Sequence, residues 1–182
     1  MKKIISAAIL VAACVSAHAE TFNFSYTFAD GQAISGSLSG HLNGDLVESV
    51  SDVHINFGGV DFSGALFGAS WSDAAVNWNS AAGPVVSTNA AKNNFIFADA
   101  NPQTDYANVN NYFYFVNGSS VLGSEAFALN CHGNCDQLAL DNPTGNATWS
   151  LVAAPVPEPT SIAMLMAGLG VVGAVSRRRR QA

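Results

Sequence analysis

The sequence predicts an all-β fold: an antiparallel β-sandwich or jelly-roll-like domain, followed by a short C-terminal transmembrane helix. Three observations predict it. Apolar and polar residues alternate with period two in several short runs, the clearest being Phe22, Phe24, Tyr26 and Phe28 against Thr21, Asn23, Ser25 and Thr27. Asn-, Gly-, Ser- and Pro-containing loops separate these runs at short intervals. Between residues 20 and 155 no stretch of twelve residues carries a convincing helical face.

The first nineteen residues are Met1-Lys2-Lys3, an apolar stretch from Ile4 to Val15, and Ala17-His18-Ala19. A positive start, an apolar core and small residues at −3 and −1 are the parts of a secretory signal peptide, in the required order. Cleavage is expected between Ala19 and Glu20. Val11-Ala12-Ala13-Cys14 loosely fits the pattern before a lipid-modified cysteine, but cleavage there would leave a very short apolar core. The chain thus divides into a signal peptide (1–19), an exported domain (20–155) and a tail (156–182).

The domain opens with the aromatic strand "TFNFSYTF" and turns at "ADGQ", where Asp-Gly supplies the backbone a tight turn needs. "AISGSLSGHL" reads as a weaker strand carrying Ile34, Leu38 and Leu42, interrupted by Gly36 and Gly40. Asn43-Gly44 turns the chain into "LVESVSDVHINF", with Val53, Ile55 and Phe57 on one face. After Gly58-Gly59, "VDFSGALFG" reads as a strand with a bulge or bend at Gly64. "ASWSDAAVNWNSAAG" fits neither period, because Trp71, Val76 and Trp78 share no face in either. "NNFIFAD", "NYFYFVNG" and "SSVLGSEAFAL" follow as strands, and "ATWSLVA" is the last, with Ala147, Trp149 and Leu151 on one face. The prolines of "APVPEP" end it and mark a domain boundary.

Residues 20–155 hold one basic residue, Lys92, against twelve acidic ones, a formal charge of −11. Such a domain repels phosphate backbones, which excludes nucleic acid as a partner. Cys131 and Cys135 remain as an even pair in an exported chain, and Gly133 in the middle of "CHGNC" helps the sulfurs meet, so a local disulfide is expected. The alternative is a metal held by Cys131, His132 and Cys135, which lacks an obvious fourth ligand and the usual two-residue spacing.

The tail has no charge from Pro159 to Ser176, and a transmembrane helix is expected over 160–176. Its strongly apolar part, Ile162 to Val175, is fourteen residues. As a helix this is about 21 Å long, against a hydrocarbon core of about 30 Å. Snorkelling arginines and local thinning must supply the rest. Arg177, Arg178, Arg179 and Arg180 stop the span and hold its end in the cytoplasm, so the domain lies outside, in agreement with the signal peptide. Ala163, Ala167, Gly170 and Ala174 form a face of small residues, common in any such span or a docking face for another membrane protein.

Val-Pro-Glu-Pro at 156–159, a short glycine-containing span and a terminal arginine cluster together resemble the PEP-CTERM sorting signal of Gram-negative bacteria. The resemblance covers about Pro155 to Ala182, and its motif residues are Pro157, Glu158 and Pro159. It implies recognition by an exosortase, an integral membrane protein with a cysteine-protease-like site, then cleavage near the motif and release or transfer to the cell surface. The chemistry is compatible: prolines hold the motif extended, where a processing site can grip backbone without unwinding a helix. The bland alternative is a juxtamembrane linker.

No "GxSxG", "HExxH" or phosphate loop occurs, and His41, His54 and His132 are the histidines left after processing. The chain therefore reads as a substrate of a processing enzyme rather than an enzyme, with a structural or adhesive role at the cell surface or in extracellular polymer. A secreted hydrolase is the weaker alternative. The stronger one is a carbohydrate-binding module, in which Trp71, Trp78 and Tyr106 contact extracellular polysaccharide, with Asn77, Asn79 and Asp105 as polar partners; the competing reading puts both tryptophans in the core. No cofactor is expected. Asp99 to Asp105 ("DANPQTD") is the stretch to consider for Ca²⁺, but it lacks the ordered acidic spacing of a calcium loop.

Overall fold

The computed structural model describes residues 19–132, 134–144, 148–155 and 168–169. In chain order its strands are β1 (Glu20–Thr27), β2 (Ala33–Asn43), β3 (Leu46–Phe57), β4 (Val60–Asp61), β5 (Phe67–Ser72), β6 (Asn77–Asn79), β7 (Val86–Ser87), β8 (Asn94–Ala98), β9 (Asn111–Ser119), β10 (Gly123–His132), β11 (Asn134–Asp141) and β12 (Trp149–Ala153). Short 3-10 turns at Ala90–Lys92 and Tyr106–Asn108 interrupt the connections. The fold is all-β and every strand pair is antiparallel.

The strands form two sheets, ordered β12-β1-β2-β3-β4, with β7 also on β3, and β11-β10-β9-β8-β5-β6. Most neighbours in space are neighbours in sequence. The runs β1-β2-β3-β4 and β8-β9-β10-β11 are meanders, and the non-consecutive pairs β12–β1, β3–β7 and β5–β8 complete the sheets; the two antiparallel sheets form a sandwich-like fold. Short turns explain the first meander, since Gly31 and Gly44 stand at φ 90° and 64° and reverse the chain at once.

One core joins the sheets. Phe22, Phe24, Tyr26 and Phe57 of the first meet Phe95, Phe97, Phe113 and Phe115 of the second, and all are buried. Phe24 stacks on Phe113 at 6.3 Å between ring centroids, and Tyr26 meets Phe115 edge-on at 5.3 Å. A polar strap crosses between them: the Tyr26 hydroxyl donates to Asp141 Oδ2 at 2.7 Å, and the Ala29 N–H donates to Oδ1 at 2.9 Å.

Local expectations needed correcting in five places. "SSVLGSEAFAL" is not a strand from its start, because Ser119 ends β9, residues 120–122 turn, and β10 begins at Gly123. Gly36 and Gly40 do not interrupt β2. A side chain at Gly36 would overlap the His54 carbonyl and the Phe24 ring, so the glycine lets strand and ring approach closely. β3 carries two bulges that its alternation hides: the register against β2 shifts on either side of Ser39, and Ser49 and Asp52 take φ 54° and 47°. "VDFSGALFG" is not one strand, because β4 stops at Asp61 and Gly64 (φ 82°) bends the chain before β5. "NCDQLALD" is an additional strand, β11, paired with β10, and Cys131 and Cys135 are joined in a disulfide.

β1 begins at Glu20, β12 ends at Ala153, and the Ala154 N–H donates to the Thr21 carbonyl at 2.7 Å. The two ends of the domain therefore leave from one corner. Among the described residues no helix is long and apolar enough to cross a membrane. The expected span 160–176 lies outside them save for Gly168 and Leu169, as do Ala17 of the signal peptide, Pro157, Glu158, Pro159 and Arg177 to Arg180.

Candidate functional site: an aromatic cleft on the second sheet

The outer faces of the two sheets differ in chemistry. On the first sheet, cross-strand pairing sets Asn23, Ser37 and His54 in one row and Ser35, Asn56 and Asp61 in the next. They border a shallow depression of about 610 Å³. Histidine, serine and aspartate thus meet there, as a hydrolase requires. However, the Asn56 amide donates to Asp61 at 2.7 Å, and among the described residues no hydrogen bond joins His54 to Ser37 or Asp61. A nucleophile needs an adjacent base and the base an orienting partner, and neither coupling is made.

The outer face of the second sheet is aromatic. β9 alternates inner Phe113 and Phe115 with outer Tyr112 and Tyr114, and the outer tyrosines stack on Phe127 of β10 at 5.4 and 5.8 Å. β5 and β6 form a hairpin in which Trp71 stands opposite Trp78. The two indoles meet edge-on at 5.3 Å, and Trp78 continues to Tyr114 at 5.6 Å. Trp78 packs with Ala69, Ile96, Ala98 and Val116 in a second, smaller core. The unreadable period of "ASWSDAAVNWNS" has its cause here: the hairpin turns through Val76 at φ 49°, a conformation costly for a β-branched residue.

A cleft of about 470 Å³ opens at this place. It brings together all three aromatics expected to touch sugar, Trp71, Trp78 and Tyr106, and adds Asn77, Gln103 and Tyr114. Their roles differ. Trp78 is only 7% exposed and serves as buried floor, so the core reading holds for it. Trp71 is partly exposed, and Tyr106 is 63% exposed on the 3-10 turn at the rim. Asn79 does not line the cleft; its side-chain oxygen accepts from the Ala81 and Ala82 N–H groups, both at 3.1 Å. Asp105 holds the rim loop by accepting from Asn108 at 2.6 Å.

Asp73 fixes one wall. It accepts from the Trp71 indole N–H at 2.8 Å, the Ser119 hydroxyl at 2.5 Å, and the Ser120 N–H and hydroxyl at 2.7 and 2.8 Å. Bonding to Ser119 and Ser120 above all, with Trp71, holds its carboxyl down to about 2. Burial pushes the Tyr112 hydroxyl up to about 12. Burial, then the hydrogen bond to Glu125, pushes Tyr114 well above the usual phenol range. Sequence reading missed Tyr114, Gln103 and Asp73. A signal for Tyr114 existed in the alternation of "NYFYF"; Gln103 and Asp73 enter only through tertiary contacts.

Asp99 accepts from the Asn110 N–H at 2.9 Å and the Asn111 amide at 2.7 Å, so its oxygens tie the loop to β9. Among the described residues no three His, Cys, Asp or Glu side chains converge in a metal-holding group.

A family model described as the PEP-CTERM protein-sorting motif matches residues 155–180. No curated protein and no solved structure matches the chain. The motif marks the chain as one sorted by an exosortase and exported to the cell envelope or surface.

Proposed function

We propose that the domain 20–155 is an adhesive module that holds extracellular polysaccharide in the cleft between the β5–β6 hairpin and the 99–110 loop. The observation that carries this reading is the convergence of Trp71 and Trp78 of the β5–β6 hairpin with Tyr106 of the 99–110 loop on one open cleft. Aromatic faces take the apolar faces of sugar rings, and the amides beside them take hydroxyls.

The route to the surface follows from the ends of the chain. Signal cleavage between Ala19 and Glu20 delivers the domain outside. The span 160–176 holds it as an inner-membrane intermediate, oriented by Arg177 to Arg180. An exosortase then reads Pro157, Glu158 and Pro159 and passes the domain to the cell surface or extracellular polymer. The shared corner of β1 and β12 is compatible with this path, since the first and last strands of the domain end side by side at Thr21 and Ala154. The protein acts as a substrate in this scheme, not as a catalyst, and needs no cofactor.

Retention on the host's own exopolysaccharide tests the adhesive role. The exported protein is expected to be retained with quenched tryptophan fluorescence, and absence of both would refute the reading. For sorting, Glu158→Ala is expected to leave unprocessed, membrane-bound protein in a host carrying an exosortase; normal maturation would count against recognition through Glu158.

A further inference from the structure

The polar atoms of the cleft and its charge identify the class of glycan. We infer that the cleft selects neutral glycans and rejects uronate- or sulfate-bearing ones, and that the amide N–H₂ groups of Gln103 and Asn77 read sugar hydroxyls. This rests on the cleft being the polysaccharide site.

The orientation of both amides is settled by their neighbours. The Ser80 N–H donates to Gln103 Oε1 at 3.0 Å, and the Trp78 N–H donates to Asn77 Oδ1 at 2.8 Å. A backbone N–H can only donate, so each amide presents its oxygen to the protein and keeps its N–H₂ for something else. Among the described residues neither N–H₂ group has a hydrogen-bond partner. Both residues are exposed and both line the cleft. The arrangement offers two oriented neutral donors beside aromatic surface, which suits the lone pairs of hydroxyls on an apolar ring.

Charge separates neutral from acidic ligands. A carboxylate or sulfate is best held by a cation, usually a bidentate arginine. The domain has no arginine, and its single lysine, Lys92, is bonded to Asp45 at 2.8 Å and does not line the cleft. The charged groups bonded to the lining are instead acidic: Asp73 accepts from Trp71 and Glu125 accepts from Tyr114. Asp73 bonds Trp71 and is ionised at neutral pH, and Asp105 adjoins Tyr106 in the chain. With the −11 of the domain behind them, a polyanion is repelled before it reaches the donors.

Affinity electrophoresis of the full chain in detergent micelles tests this. One set of gels holds a neutral panel of hydroxyethylcellulose, galactomannan and dextran; the other holds polygalacturonate and dextran sulfate. At least one neutral polymer is expected to retard the protein, and neither polyanion. Gln103→Glu keeps an oxygen for the Ser80 N–H but replaces the donor, and is expected to weaken neutral retardation by about tenfold at unchanged melting temperature. Tyr106→Ala, at an exposed rim position, should do the same without unfolding the domain. Retardation by a polyanion equal to or stronger than by the neutral panel overturns the inference and leaves the cleft as a glycan site. Unchanged neutral retardation in Gln103→Glu also overturns it. No retardation in any gel overturns both the inference and the proposed function.

Discussion

Asp73 shows how one side chain can organise a wall of the cleft that it does not itself line. Its oxygens accept from Trp71, Ser119 and Ser120, tying the β5–β6 hairpin to the end of β9. Its carboxyl titrates at about 2 in the fold, below the ordinary 3.8. A lowered folded value means that the unfolded chain binds the proton more tightly. The stability carried by Asp73 is therefore complete above 3.8 and is lost as pH falls toward about 2. Melting followed by tryptophan fluorescence between about pH 5 and pH 2 should show a steeper loss in the wild type than in Asp73→Asn, which has no proton to gain. Val76, at the hairpin tip, works against stability. It is 59% exposed at φ 49°, so it forfeits backbone energy and buries little. Val76→Gly is expected to stabilise the protein by about 1 kcal/mol in urea unfolding. A loss of stability would show that the valine side chain makes a contact worth its strain.

Strands and turns were legible wherever a single period or a single turn decided them. β1 follows from its alternating aromatics, and the β2–β3 reversal from Asn43-Gly44. What local pattern could not give was the effect of a partner strand on a residue. Gly36 reads as a defect in isolation, yet beside Phe24 and Ile55 it is the position where a side chain does not fit. Gly36→Ala is expected to cost about 2 kcal/mol, from the overlap with the His54 carbonyl and the Phe24 ring, as measured by denaturant midpoint. β11 was missed for a related reason: Leu138 and Leu140 are each 50% exposed on the outer face, while only Ala139 packs inward between them. A small inner residue flanked by exposed leucines gives a weak alternation, and pairing with β10 makes it a strand.

At the level of the molecule, two sheets share an aromatic core, and one buried polar strap aligns them. Tyr26 is fully buried and donates to Asp141, itself 7% exposed. Tyr26→Phe removes that donor and is expected to cost about 1–2 kcal/mol in equilibrium unfolding. A neutral result would show that water replaces the hydroxyl and that the rings alone align the sheets. The outer faces then divide the labour: polar rows on the first sheet, an aromatic cleft on the second. Alternation and turn chemistry act over a few residues, and the tail motif is read in one stretch, so the all-β class, the first hairpins and the sorting signal could be derived from the order of amino acids. The strand order, the bulges of β3 and the cleft could not. Trp71 and Tyr106 stand 35 positions apart, and they line one cleft because β5 pairs with β8 and the chain between β8 and β9 is tied back to the end of the hairpin through Ser80. Only long-range pairing decides which exposed aromatics become neighbours, because the free energy of bringing them together comes from the whole sheet and from no segment of it.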